Sequence, residues 1–535
     1  MKTWFLRSSA VVAVAVLSAC GGGGGGGGGF FPITGLPGAT TTVTLNGNVT
    51  FDSVPNTTGE LNYGAMSPKP VRGAAIEVLD ANGAVLTSTA TDGNGAYSAT
   101  VPANTTVSVR VKAQMLQTGS GASWDVSVRD NTQSDAIYSM ATESFPTGGA
   151  AVTRNVHAPS GWNGSSYGST RVAGPFAVLD TVYATQAKVL SVASSTAFPP
   201  LRVFWSVNNV PASGNPALGQ IGTTFFTSST ATGAVRAIYV LGKENVDTDE
   251  YDSSVVAHEW GHYYQSAFSR DDSPGGSHSL SELLDRRLAF SEGWGNAWSG
   301  IALARSNYTD SAGANQALGS NLDLTTGTTS NSGWFREASI QSIFWNLNNQ
   351  VGFKPIHDAL TGSFKTGAAV TSIHPFSVAF NAAAPGSASA LNALLVGQGI
   401  AVPNNQFADN ETNSGGLGSF ALPMYRTATL GVGTQACVTN QVDPGRAGNK
   451  LGSYAYLRFT APAQRNYSVT IAVNGGTPGT DPDFVVYQGR RAGQGLSTVV
   501  GSESGAVSLS TGEAVLVLND FNNASANTCF TVTIN

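Results

Sequence analysis

The 535-residue sequence predicts a multidomain chain in which β-sheet modules at the two ends enclose a central α+β segment. Three features support this. Apolar and polar residues alternate near both ends, as at Val43, Leu45, Val49 and Phe51 and again at Tyr467, Val469, Ile471 and Val473, which is the period of a half-buried strand. Helical patterns fall in the middle, over residues 253–268, 291–305 and 337–349. All 6 histidines lie there too, between residues 152 and 403. The length suggests about three domains at ~150 residues each. Charged residues make up 11%, well under the ~25% common in soluble domains, which suits an extracellular surface. A net charge of −6 offers no electrostatic footprint for nucleic acid, so none is expected as a partner. With 3 cysteines, neither a disulfide scaffold nor a cysteine metal cluster is available.

The first residues read as an export signal. Lys2 and Arg7 precede the apolar run 11–17, which is too short to cross a bilayer as a helix. Leu17-Ser18-Ala19-Cys20 resembles the lipobox of bacterial lipoproteins. That resemblance implies a signal peptide over residues 1–20 and acylation of Cys20. It also implies a membrane partner reached through the lipid, in a bacterial cell envelope (the outer membrane) or at the cell surface. Glycines 21–29 open a tether over residues 21–39, since consecutive glycines hold no fixed backbone. In an oxidising compartment the two remaining cysteines, Cys437 and Cys529, are expected to pair.

Residues 40–130 read as β. The strand Ala75-Ile76-Glu77-Val78-Leu79 meets the turn Asp80-Ala81-Asn82-Gly83 and returns through Ala84-Val85-Leu86. Thr91-Asp92-Gly93-Asn94-Gly95-Ala96-Tyr97 resembles the T-D-x-x-G-x-Y signature of carboxypeptidase-regulatory-like domains, which implies an N-terminal β-sandwich. Residues 404–433 are rich in Asn, Gly and Ser and read as a linker. Residues 434–535 resemble the prepeptidase-C-terminal β-sandwich appended to secreted bacterial peptidases.

The chemistry lies in His258-Glu259-Trp260-Gly261-His262. On a helix, positions i and i+4 share a face, so both imidazoles can meet one metal ion. Glu259 is turned by about 100° from His258, beside the metal rather than on it. Asp252 or Ser253 is the expected N-cap. A catalytic zinc takes three protein ligands, and spacing leaves two glutamates open for the third, Glu282 and Glu292. His278 fits the short third-histidine spacing poorly. The neighbours Asp285, Arg286 and Arg287 suggest that Glu282 is a solvated helix charge. His258-Glu259-Trp260-Gly261-His262 followed by Ser291-Glu292-Gly293-Trp294-Gly295-Asn296 resembles the gluzincin metallopeptidases, most closely the fungalysin type. The resemblance implies a zincin-like α+β metallopeptidase domain over residues 150–403. In it His258, His262 and Glu292 bind Zn2+ and Glu259 is the general base. Asn296 stands where that family has Asp, in the position that holds a ligand imidazole. The family also uses a later His or Tyr to stabilise the oxyanion, for which Arg336, Tyr308, His357 and His374 are candidates.

The expected activity is hydrolysis of a protein or peptide substrate by a surface-anchored zinc endopeptidase. Five carboxylates in residues 244–252 could also hold Ca2+ through oxygen ligands. The competing expectations are a surface adhesin or glycan-binding lipoprotein with a vestigial zinc domain, and a peptidase directed at glycoproteins.

Overall fold

The computed structural model describes residues 41–535 apart from 229–234, 444 and 525. The signal segment, Cys20 and the glycine tether lie outside the described residues. Alternation places Val43, Leu45, Val49 and Phe51 on the buried face of Thr42–Ser53. This strand pairs antiparallel with Ala96–Pro102 and parallel with Val152–Thr153 and Val156–Ala158. A second sheet sets Ala75–Asp80 between Val85–Ala90 and Thr106–Lys112. The Asp92 carboxylate accepts the backbone N–H groups of Asn94 and Ala96 (2.8 and 2.9 Å), a local turn that explains the T-D-x-x-G spacing. Gly95 completes it with φ +78°, where a Cβ would lie 2.6 Å from the Val49 carbonyl.

Strand pairing crosses residue 130. Gln114–Gln117 and Trp124–Asp130 join Leu201–Trp205, Arg236–Val240 and Phe225–Ser228 in one sheet. One apolar core runs from the N-terminal strands through the helical centre.

That centre includes the helices α1 (Ala173–Leu190), α2 (Ser253–Phe268), α3 (Arg286–Leu303) and α4 (Glu337–Val351). α2 and α4 start where the sequence pattern places them. α3 starts five residues earlier than its pattern, at Arg286, because its first turn is buried among charged side chains rather than apolar ones. Asp285, Arg286 and Arg287, the charged neighbours of Glu282, are each 3% exposed. Arg286 stacks 3.9 Å from the Tyr456 ring centroid, Arg287 lies 4.3 Å from that of Tyr454, and Tyr456 donates to Asp285. The Asp–Arg pair and the aromatic faces supply the partners that water would otherwise provide.

Residues 434–535 form two sheets facing each other across a shared apolar core that includes Leu457, Phe459, Tyr467, Val469 and Phe530. Segment 404–433, polar in sequence, is packed down: Phe407, Leu417, Met424 and Tyr425 are buried. The chain is thus mostly β-sheet with a helical centre. Among the described residues no helix is long and apolar enough to cross a membrane.

Cys437 and Cys529 are cross-strand partners and form a disulfide, closing a separation of 92 residues. Loop closure of that length contributes about 4.6 kcal/mol by restricting the unfolded chain. Replacing both cysteines by serine is therefore expected to lower the unfolding midpoint of the C-terminal sheets in denaturant. An unchanged midpoint would show that the bond adds no stability.

Candidate metal centre

α2 and α3 pass at close range. A Cβ on Gly261 would lie 3.2 Å from Gly295 Cα, and one on Gly295 would lie 2.8 Å from His258 Cε1. The Trp294 indole donates to the Gly261 carbonyl at 3.1 Å. Trp260 and Trp298 stack beside this crossing at 5.4 Å. Two helices that could not otherwise approach so closely thus bring donors from both to one point.

His258 Nε2 lies 3.1 Å from His262 Nε2 and 3.1 Å from Glu292 Oε2, and His262 Nε2 lies 3.4 Å from Glu292 Oε2. A tetrahedral zinc with ligand bonds of 2.0–2.1 Å requires ligand–ligand edges of about 3.3 Å. The three edges match that length, and two imidazoles with one carboxylate is a donor set found in catalytic zinc sites. The residues therefore fit the metal.

The outer contacts fix the imidazoles. His258 Nδ1 lies 2.8 Å from Asn296 Oδ1. Asn296 is oriented by its amide, which donates to Glu337 Oε1 (2.6 Å) and Gln341 Oε1 (3.0 Å). A carbonyl oxygen only accepts, so His258 carries its proton on Nδ1 and keeps the Nε2 lone pair for a metal. An aspartate at 296 would place its carboxylate against that of Glu337, a repulsion that the asparagine amide avoids. His262 Nδ1 has Ser291 Oγ at 3.2 Å and Gln265 Oε1 at 3.4 Å.

Glu259 is buried beside the trio, and one of its carboxylate oxygens accepts the Phe226 N–H at 2.8 Å. Burial pushes its pKa up, with His258 and His262 opposing. For Glu292 burial acts in the same direction, but His262, His258 and His278 outweigh it and hold the carboxylate well below its usual range. Burial likewise opposes charge on His262, yet Glu292 and then Glu259 prevail and push it up. The two carboxylates thus favour positive charge at His262.

These side chains line a cavity of about 940 Å³. Tyr308 reaches it from the strand Asn307–Ala312, its ring edge-on to His258 at 5.9 Å. The remaining sequence candidates serve other contacts. Glu282 pairs with Lys450 at 3.3 Å. Arg336 donates to the carbonyls of Ser281, Glu282 and Asn331. His357 pairs with the Tyr264 hydroxyl at 2.8 Å, and buried His374 pairs with Glu411 at 2.9 Å.

Spacing gave His278 no role, yet it stands at the centre. Its Nε2 is 3.3 Å from Glu292 Oε2 and its Nδ1 is 2.9 Å from Glu337 Oε2. The loop that carries it is held from far along the chain. Asn449 donates to the carbonyls of Gly275 (2.8 Å) and Ser277 (3.1 Å), and Lys450 donates to Ser277 at 2.6 Å. The one signal in the sequence was the clustering of all histidines in the middle segment.

No family profile matches the chain, and no curated protein matches it. Among solved structures, a pre-peptidase C-terminal domain of collagenase from Bacillus anthracis is similar at 9% identity. That match covers 21% of this chain and 94% of that one, with a TM-score of 0.17. PliG of Aeromonas hydrophila, a periplasmic inhibitor of g-type lysozyme, is similar at 12% identity over 21% of this chain and 96% of its own, with a TM-score of 0.14. Scores this low bear on neither fold nor activity.

Gly295→Ala tests the helix crossing. In an ordinary helix interior this change adds up to ~1 kcal/mol of helix preference. Here the new methyl meets the His258 ring, and bound zinc, read by metal analysis after dialysis, is expected to fall about ten-fold or more, as for other disturbed ligand supports. Full zinc retention would show that the crossing has slack.

Proposed function

We propose that the protein is a zinc-dependent endopeptidase of the gluzincin type, resembling the fungalysins, and that it is exported as a lipoprotein anchored through Cys20. The observation that carries the reading is the meeting of His258, His262 and Glu292 at tetrahedral spacing, with Glu259 on the same cavity wall. The zincin-like domain around this centre and the sandwich modules beside it belong to the same proposal. Their support is the sequence motifs together with the sheets of the two ends.

Zinc, when bound, supplies Lewis acidity at neutral pH and makes water easier to deprotonate. The chain supplies the rest. Glu259, not held by the metal trio, takes the proton from water at its carboxylate and passes it to the leaving amine. Its raised affinity for protons suits that task. Asn296 keeps His258 in the metal-binding tautomer. Tyr308 faces the cavity and can donate to a carbonyl oxygen as it gains charge.

Glu259→Gln should retain zinc and lose about a thousand-fold or more of the cleavage rate on casein or a labelled peptide library. Phenanthroline should abolish the wild-type rate, and added zinc should restore it. Wild-type rates in the Gln variant would overturn the mechanism. Zinc binding with no cleavage of any peptide would favour the glycan-binding or adhesin reading. For the anchor, a palmitate analogue should label the wild type but not Cys20→Ser, and an unlabelled wild type would refute lipidation.

A further inference from the structure

A second group of possible metal ligands lines the same cavity. One carboxylate oxygen from each of Asp247, Asp249 and Asp310 lies within 4.8 Å of the others. Asp247 belongs to the strand Asp247–Thr248 and Asp310 to Asn307–Ala312. Two separate segments therefore converge.

Of the five carboxylates in residues 244–252, three are already engaged. Glu244 accepts the Tyr167 N–H at 2.9 Å. Glu250 accepts the Trp205 indole at 3.2 Å and lies 3.4 Å from Arg171. The carboxylate of Asp252, the residue before α2, accepts from the Asn56 amide (2.6 Å) and the Ser311 hydroxyl (2.6 Å) instead of capping the helix. Asp247 and Asp249 remain, and Asp310 joins them.

Asp249 supplies the second observation. It is 2% exposed, and its Oδ1 has no hydrogen-bond partner, while its other oxygen accepts from Thr224. Asp247 Oδ1 is likewise buried and unpartnered. Among the described residues, the groups acting on these three carboxylates are other acids and neutral donors, with no cation among them. Lys243, the register partner of Asp247, is exposed and makes no ion pair with it. An unpaired buried carboxylate is costly, and a cation held among three converging ones would offset that cost. An all-oxygen donor set selects a hard ion, and flexible geometry with carboxylates able to bind through one or both oxygens suits calcium better than magnesium.

We propose that Asp247, Asp249 and Asp310 form a Ca2+ site on the wall of the cavity that also holds the His258–His262–Glu292 centre. Residues two apart on a strand share a face, so the strand that carries Asp310 presents Tyr308 to the same cavity. The ion fastens that strand to the segment leading into α2, and it fixes Tyr308 against His258.

The test uses the folded chain without its signal segment, treated with EGTA and then titrated with Ca2+ by calorimetry, with zinc content measured in parallel. One Ca2+ should bind per chain and raise the melting temperature. Asp249→Asn and Asp310→Asn should each weaken binding by about ten-fold or more, since ligand charge sets affinity in such sites, and zinc content should stay the same. Asp247→Asn, at a half-buried position, serves if the buried variants do not fold. No Ca2+ binding by the wild type, or equal affinity in the variants, overturns the site. Calcium binding is read directly, so failure of the peptidase reading would leave this result untouched.

Discussion

The crossing of α2 and α3 allows no side chain at its closest point. Gly261 faces Gly295, and Gly295 in turn faces the His258 ring. Everything at the centre follows from that approach. Glu292 lies one turn before the crossing on α3, and His258 and His262 bracket it on α2, so the helix spacing itself sets the distances between donor atoms. The aromatic stack of Trp260, Trp298, Trp294 and Tyr264 packs beside the crossing. A third glycine, Gly293, lets α4 close in from the other side, where a Cβ would lie 2.5 Å from Ile340.

Buried polar atoms are costly unless they find hydrogen-bond partners. Here α4 meets most of the need. Glu337 receives both Asn296 and His278, and Gln341 takes the second amide hydrogen of Asn296. One carboxylate thus orients one imidazole through an amide and holds another directly. The asparagine at 296 changes how charge is distributed around the centre. The negative charge behind the His258 imidazole sits one step further out than its direct partner, on Glu337.

Much of this was legible in the sequence wherever the determinants were local. The 3.6-residue period and the motif gave α2, the match at Ser291-Glu292-Gly293-Trp294 pointed to Glu292, and alternation gave the end strands. What could not be read depends on long-range pairing. The strands at 114–130 alternate as well for one sheet as for another, so their union with residues 201–240 left no local trace. Asp285, Arg286 and Arg287 look solvated until Tyr454 and Tyr456 are brought over them. His278 and Asp310 have no motif at all, and the chain folds them in from loops and strands whose partners are distant in sequence.

The hold of Asn449 and Lys450 on the 275–277 backbone has a consequence for how this chain could have been assembled. Terminal β modules are commonly treated as exchangeable cassettes, gained or lost without cost to the body they adorn. Here the boundary between cassette and body runs through the support of a histidine at the centre. A recombination event within residues 404–433 would have to replace that support, so the two parts are expected to be inherited as one unit.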